Sequence, residues 1–541
     1  MATESISEQQ LPSYIETLLK PEFYSSELSD AQYTVSDCQL LETHISWVIL
    51  TGRYAYKVKK PVNFGFLDFS TLEKREFYCQ EELRLNQRIA PELYIRVLKL
   101  TEHQGNWAFN GEGKVVDFVL QMHQFPQTSR FDLLMSENQI NFQHIHNTAA
   151  MLARFHHSCE TAAETSDYGN PAQVFQPVLE NFLQIDASVL EQNSRACLKA
   201  IQHWSETTFN NLISLLKQRK AEGFIRECHG DLHLSNLAWL NDQALAYDCL
   251  EFNSDLRWID VISDIAFLVM DCQRCQKNEL AQALLNNYLE YTGDYTGLKI
   301  LSFYLCYRAV VMTKVEFLRL QQLPSSHPDY PQFSQDFNRY LQLAHQYTQR
   351  RPVALMINHG LSASGKTTIS RELAYHLPAI KISSDIERKR LAGLWPEWIK
   401  QGSNNENHLL YSQSIDQQTY NQLLTQAEII LNAGYSVIVD ATFLNIEFRS
   451  KFYSLALENR LPFIILNYKV PNHLLRERIQ GRNQGVSDAD LQVLEKQISL
   501  FQPLKDYEQE HKLDIETQKL VDTKQLSVKV FRLIMNFKSS K

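Results

Sequence analysis

Residues 360–367 read GLSASGKT: a glycine, four residues, a second glycine, a lysine and a threonine. That spacing constrains the fold more than any other feature of the chain, because it works only as the turn between a buried strand and a helix. The flanks comply, with the apolar run VALMI before it and TTISRELAYHL after it. Backbone N–H groups and a helix N-terminus then converge on one anionic group. Gly360 and Gly365 permit the tight wrap, and Ser362, Ser364 and Thr368 lie along the same cradle. Lys366 is expected to reach the β and γ phosphates of ATP, and Thr367 to offer a hydroxyl to Mg²⁺. An ordinary Gly/Ser turn is the alternative.

Downstream, short β-rich runs at 353–358, 379–383, 436–440 and 463–470 alternate with helical segments, the rhythm of an α/β fold with a mostly parallel sheet. Asp440 ends an apolar strand, where a carboxylate can complete the magnesium shell opposite Thr367. Asp385 follows the second strand, at the sheet edge where ligands of open α/β folds bind. It can take the proton of an attacking hydroxyl, and Arg388 can grip an acidic substrate. A capping Asp beside a solvated basic turn remains the plainer reading. Arg476, Arg478 and Arg482 lie on a helix running into a polar, glycine-containing loop. Arg478 and Arg482 are expected to bring charge to the transferring phosphoryl group.

GLSASGKTT, SSDIER and VDATFLNIEFR together resemble the P-loop kinases that include polynucleotide 5′-kinase and the zeta-toxin type of small-molecule kinase. The resemblance implies transfer of a γ-phosphate to a hydroxyl, with Asp385 as base and Arg388 as substrate grip. It matches Asp440, Thr442, Asn445 and Arg449 to a family pattern in which Arg449 contacts substrate.

The N-terminal half carries a second constellation. CHGDLHLSNLAWLNDQALAYDCLEF places His229, Asp231 and Asn236 ahead of Asp248. Protein kinases use the order HRDxxxxN and then DFG: the first Asp orients the acceptor hydroxyl, and the Asn and later Asp hold Mg²⁺. The HGD form resembles the aminoglycoside phosphotransferase and choline kinase branch. That resemblance makes Asp231 the catalytic base, Asn236 and Asp248 metal ligands, and Asp264 a brace for the loop. Lys57 in YAYKVKK is the expected phosphate lysine, with Lys59 on the same face and Glu82, or its neighbour Glu81, as ion-pair partner. VVDFVLQMHQF, with Gln121 and Met122, resembles the hinge strand against which the nucleotide base rests. One departure stands out: no GxGxxG precedes Lys57, and the turn there reads LLETH.

These patterns predict an α+β protein-kinase-like, two-lobed domain over 1–332, with a small lobe at 37–124 and a helical lobe at 125–322. A linker and connecting helix at 323–350, marked by LPSSHPDYPQ, lead to an α/β P-loop NTPase domain over 351–541. The order resembles bacterial bifunctional fusions of the two folds, the second being of AAA-type ATPase character. Lys+Arg 53 against Asp+Glu 62 gives a net charge of −9, which favours a small-molecule hydroxyl acceptor over nucleic acid. The start, MATESISEQQLPSY, lacks the pattern of a secretion signal, and the apolar run near Ala266 is broken by Asp264 and Asp271. Nine cysteines, an odd number, read as reduced thiols. The expected location is cytoplasmic, and the expected activity is that of an ATP-dependent phosphotransferase with two nucleotide sites. A nucleotide-sensing switch without turnover, and a polynucleotide 5′-kinase in the second domain, are the alternatives.

Overall fold

The computed structural model describes residues 11–27, 35–65, 67–396, 413–481 and 491–537. Two compact units emerge: residues 1–151, 155–177 and 213–271 form the first, and residues 152–154, 178–212 and 272–541 the second. The sequence reading runs the first domain to 332, with its helical lobe reaching 322. The helices Asn278–Thr292, Leu298–Gln322 and Tyr330–Tyr347 instead group with the C-terminal sheet.

The first unit opens on an antiparallel sheet of six strands: β1 (Gln39–Glu42), β2 (Ser46–Leu50), β3 (Tyr54–Lys59), β4 (Tyr94–His103), β5 (Asn106–Phe109) and β6 (Lys114–His123), in the order β1-β2-β3-β6-β4-β5. Alternation divides its side chains between two cores. Trp47, Ile49, Tyr56, Val58 and Val119 face one way and pack with Ile15, Leu18, Phe23 and Tyr24 of the short helices Ser13–Leu18 and Pro21–Glu27. Leu50, Ala55, Tyr94, Leu120 and Met122 face the other. The helix Leu72–Gln87 starts where the Thr71 hydroxyl accepts from the Lys74 N–H, which satisfies an orphan donor of the first turn. Beyond it come two small ladders, β7 (Ile225–Glu227) with β10 (Trp258–Asp260), and β8 (Leu237–Leu240) with β9 (Gln243–Ala246). The helix Val261–Arg274 follows, its residues to Asp271 lying in this unit.

In the second unit, β11 (Leu355–His359), β12 (Ala379–Ser383), β13 (Ser436–Asp440), β14 (Phe463–Lys469) and β15 (Lys512–Glu516) form an all-parallel sheet in the order β12-β13-β11-β14-β15. β11 to β13 are buried at every position, the pattern of strands covered on both faces. The helices Lys366–His376 and Thr523–Asn536 close one face through Ile369, Leu373, Leu526 and Val530. Strand β12 lies at the sheet edge, and a side chain completes it. The Asn286 amide donates to the Ala379 carbonyl at 3.0 Å and accepts from the Lys381 N–H at 2.7 Å, imitating a neighbouring strand. Lys381 adds an ion pair to Glu290 at 2.9 Å. These bonds explain why the helix Asn278–Thr292 groups with the sheet. Among the described residues no helix is long and apolar enough to cross a membrane, and all nine cysteines are free thiols.

Candidate functional sites

In the first unit, β3 presents Ala55, Lys57 and Lys59 on one face at period two. Lys57 Nζ lies 2.7 Å from Glu82 and 2.7 Å from Asp248. Lys59 Nζ lies 2.6 Å from the other Glu82 oxygen and also pairs with Glu251. Glu82 is thus the helix partner; Glu81 instead pairs with Arg84 and Arg257. Burial alone would raise the Glu82 carboxyl, but the two lysines outweigh it and hold it down to about 2. The Lys57 ammonium is opposed by burial and raised by Asp248 and Glu82.

Asp248 follows β9 and sits at φ 64°, a left-handed conformation that a non-glycine residue adopts at a cost. Its N–H donates to the Tyr94 hydroxyl at 3.1 Å, and the next N–H, of Cys249, to the Asn86 side chain at 2.9 Å. Tyr94 and Asn86 thereby set where the carboxylate emerges, and the sequence reading found neither.

The loop before β8 is held from beneath. Both Asp264 oxygens accept backbone N–H bonds, from Gly230 at 3.0 Å and His229 at 3.1 Å, and His156 Nε2 reaches the second oxygen at 3.0 Å. Asp271 accepts from the Leu234 N–H at 2.9 Å. His156, Cys228 and Asp264 lie close enough for a metal triad. Yet the carboxylate is committed to the loop, and burial raises the Cys228 thiol, so the trio reads as a brace. His229 Nε2 lies 2.9 Å from the Tyr247 carbonyl and Nδ1 accepts the Asp231 N–H at 3.3 Å, which assigns the proton to Nε2. Burial pushes this imidazole down, toward neutral. Asn236 Nδ2 donates to the Asp231 carbonyl at 2.9 Å and its carboxylate at 3.3 Å, so Oδ1 of Asn236 is turned the other way.

The two hinge candidates part company. Met122 joins Leu50, Ala55 and Leu120 in the core on the Lys57 side, with Val48, Leu245, Tyr247 and Phe125 packed against it. Gln121 points to the opposite face, accepting from Arg96 at 2.8 Å and donating to Tyr56 at 3.3 Å. Its side chain therefore has no place at this site; one residue along a strand reverses the face. The turn between β1 and β2 is tied by the Thr43 hydroxyl, which accepts from the Ser46 N–H at 2.9 Å, and contains no glycine.

In the second unit, the loop after β11 takes its expected form. Gly365 sits at φ 88° at the start of the helix Lys366–His376, and a Cβ on Gly360 would come within 3.1 Å of Tyr468 Cβ. Lys366 Nζ donates to the Leu361 carbonyl at 2.6 Å. Ser364 lies 3.5 Å from that ammonium, and its carbonyl accepts from Thr517 at 2.8 Å. The Ser362 N–H is capped by Gln497 at 2.9 Å, whereas Thr367 and Thr368 are exposed. Asp440 accepts from Asn358 at 2.9 Å. Burial raises its carboxyl, against the pull of Lys381 and Lys366.

Asp385 and Arg388 face each other at 3.0 Å, and Arg388 also holds Asp416 at 2.9 Å. The guanidinium expected to grip an acidic substrate is thus engaged by two carboxylates. Lys381 and Tyr420 are neighbours of these residues that the sequence reading passed over. Lys381 raises a cation beside Asp440 from an otherwise apolar strand, which was the available signal. Tyr420 bonds the Phe443 N–H at 3.1 Å and lies 3.4 Å from the Thr442 hydroxyl.

Two arginines depart from expectation. Arg449 is fully buried and pairs with Glu508 at 2.6 and 3.1 Å while donating to the carbonyls of Phe443, Leu444, Gln502 and Pro503. Committed to Glu508 and four carbonyls, it staples the chain together. Arg478 donates to the Ala363 carbonyl at 3.2 Å and the Thr517 carbonyl at 2.6 Å, gripping the loop from behind. Arg482 lies outside the described residues. Beside the loop a cavity of about 680 Å³ is lined by Leu361, Val470, Leu475, Phe501, Glu516 and Gln518 among others.

Residues 355–504 match the family model described as AAA domain. An uncharacterized protein of Mycobacterium tuberculosis is 29% identical over 452 residues, spanning 84% of this chain and 88% of its own length. One of Mycobacterium bovis matches to the same extent. Among solved structures, the chain is similar to the Plasmodium vivax ethanolamine kinase at 12% identity and a TM-score of 0.38, covering 62% of this chain and 90% of that one. It is similar to a putative kinase of Chloroflexus aurantiacus at 24% identity and a TM-score of 0.26, covering 34% of this chain and 98% of that one.

Proposed function

We propose that the chain is a bifunctional ATP-dependent phosphotransferase with two separate nucleotide sites, each passing the γ-phosphate to a hydroxyl of a small molecule. The observation that carries the reading is the network of Lys57, Glu82 and Asp248, in the same unit as the hydrogen-bonded pair Asp231 and Asn236. A lysine held on two carboxylates is pre-positioned for phosphate oxygens, and an aspartate fixed by a neighbouring amide suits general-base work.

The donor sets fit Mg²⁺, which prefers hard oxygen ligands. In the first site Asp248 and the outward Oδ1 of Asn236 would hold it; in the second, Asp440 and the Thr367 hydroxyl. When bound, the ion supplies positive charge against the phosphate oxygens. The chain's own groups do the rest. Asp231 takes the proton of the acceptor hydroxyl in the first site, and Asp385 in the second. Lys57 and Lys366 bind the phosphate tail. The apolar face of Val48, Ala55, Met122 and Leu245 takes one nucleotide base, and the cavity beside the loop serves the other nucleoside.

Calorimetry with a non-hydrolysable ATP analogue tests the nucleotide half of this reading. Two equivalents per chain are expected, falling to one with Lys57→Ala and to one with Lys366→Ala. Comparing metabolite extracts before and after incubation with ATP then identifies the acceptors. A second reading, nucleotide sensing without turnover, is favoured by the glycine-free turn between β1 and β2, which offers the phosphates a poorer wrap. It predicts the same stoichiometry with no phosphorylated product.

A further inference from the structure

His233 has no part in the scheme above, yet it touches the group that does the chemistry. Its Nε2 lies 3.3 Å from Asp231 Oδ2, and its Nδ1 lies 2.7 Å from the Ser235 hydroxyl. The Asn236 amide donates to the same Asp231 oxygen at 3.3 Å. An ionised carboxylate only accepts, so Nε2 carries the proton, and in the neutral ring Nδ1 accepts from Ser235. The imidazole is held in place as well. Phe267 meets its ring edge-on at 5.4 Å, the Leu234 N–H is anchored on Asp271, and the Ser235 carbonyl accepts from the Tyr247 hydroxyl at 2.6 Å.

We infer that His233 is a positioning residue for Asp231: with Asn236 it fixes Oδ2, so that Oδ1 is presented to the acceptor hydroxyl. The inference rests on the phosphotransferase reading of this site. A carboxylate turns about a soft, two-fold torsion, so its two oxygens exchange unless something tells them apart. Two donors on one oxygen break that symmetry. The roles of a serine protease are reversed here, with the carboxylate as the base and the imidazole as its orienting partner. The partial exposure of Asp231, 42% at its side chain, leaves room for an acceptor, while His233 at 24% is the more enclosed member.

The test uses the full chain carrying Lys366→Ala, which silences the second site, with water as the acceptor and release of inorganic phosphate from ATP as the readout. His233→Ala is expected to slow release about 10- to 100-fold, with affinity for a non-hydrolysable analogue unchanged within about twofold. His233→Gln, whose amide can donate from the position of Nε2, is expected to recover most of the rate. Ser235→Ala keeps the imidazole but frees its tautomer, and is expected to give an intermediate loss. In an Asp231→Ala background, His233→Ala should add nothing. Phosphate release by His233→Ala at the parent rate, with Asp231→Ala inactive, overturns the inference and leaves the reading of the site intact. An Asp231→Ala chain as active as the parent, or a parent that releases no phosphate, overturns that reading and the inference with it. Equal losses in analogue binding and in rate for both His233 variants would make the residue structural only, and would also overturn the inference.

Discussion

Lys57 and Lys59 share Glu82, but removing them should have unequal consequences for stability. Lys59 Nζ sits between Glu82 and Glu251, with side-chain exposures of 1% for the lysine, 1% for Glu82 and 5% for Glu251. Lys59→Met leaves Glu251 without its cation in a dry site and Glu82 with only one. Removing one partner of a buried pair costs about 3–5 kcal/mol. For a unit of this size that is a fall of roughly 6–20 °C in its thermal transition. Lys57→Met leaves Glu82 and Glu251 on Lys59 and strands only the part-exposed Asp248, so a loss of about 1–2 kcal/mol is expected, together with loss of nucleotide binding at this site. Scanning calorimetry of the full chain reads the first effect, and analogue titration the second. Adding Glu251→Gln to Lys59→Met removes the stranded charge and should recover at least half of the lost stability. If Lys59→Met melts with the wild type while Lys57→Met unfolds, Lys57 is the structural cation and the assignment of roles fails.

The same network fixes a pH dependence. Glu82 is held at about 2 against an ordinary value of 4.5, so its contribution is complete above the ordinary glutamate range and is lost as pH falls toward 2. The gap in thermal midpoint between wild type and Glu82→Gln should therefore close on acidification from pH 4.5 to 2, and a constant gap counts against the pairing. Arg449→Leu should cost about 3–5 kcal/mol through stranded Glu508, so a soluble, normally melting variant with impaired turnover would restore Arg449 to the substrate site. Asn286→Leu strips the Lys381 N–H and the Ala379 carbonyl of their partner and should lower stability by about 1–3 kcal/mol, read as a urea midpoint shift. Gly365→Ala meets no atom closer than 3.5 Å but must hold φ at 88°, so about 1–2 kcal/mol of strain and lost analogue binding at the second site are expected. Retained affinity would show that the left-handed turn is not required.

Much of this was legible where chemistry forces a spacing. GLSASGKT dictated strand, turn and helix, and HGDLHLSN with a later Asp dictated a braced loop. Both took that form because few other residues fit the backbone there. The strands at 379–383 and 436–440 ended where expected, since buried apolar runs bounded by turns leave little choice. Short edge strands escaped: β1, β5 and β15 are only partly buried and carry a weak pattern. Gln121 was misplaced because a hinge motif identifies a strand but not which face each residue takes. Arg449 was misread for a deeper reason. A guanidinium on a helix looks the same in sequence whether it meets substrate or Glu508, which lies 59 residues on. The role of Asn286 depends on a contact 95 residues distant, and no local pattern announces it.

On the proposed function the two sites would reach a phosphate by different means, and their tolerances should differ accordingly. The second relies on backbone: N–H groups of a tight loop, the N-terminus of the helix Lys366–His376 and glycines that leave room for the approach. Most side chains there can change without removing a donor, so the sensitive positions are the two glycines, Lys366 and the Asp440 shell. The first site has a glycine-free turn between β1 and β2, so on this reading the work falls to side chains. Lys57 can be released to phosphate only if Glu82 stays neutralised, and Lys59 is the group that does it. Asp248 can leave Lys57 for a cation only if its backbone stays put, which Tyr94 and Asn86 secure. Lys57 and Asp248 thus each depend on buried groups behind them. Conservative substitutions behind the visible lysine should therefore disable it as surely as substitution of the lysine itself.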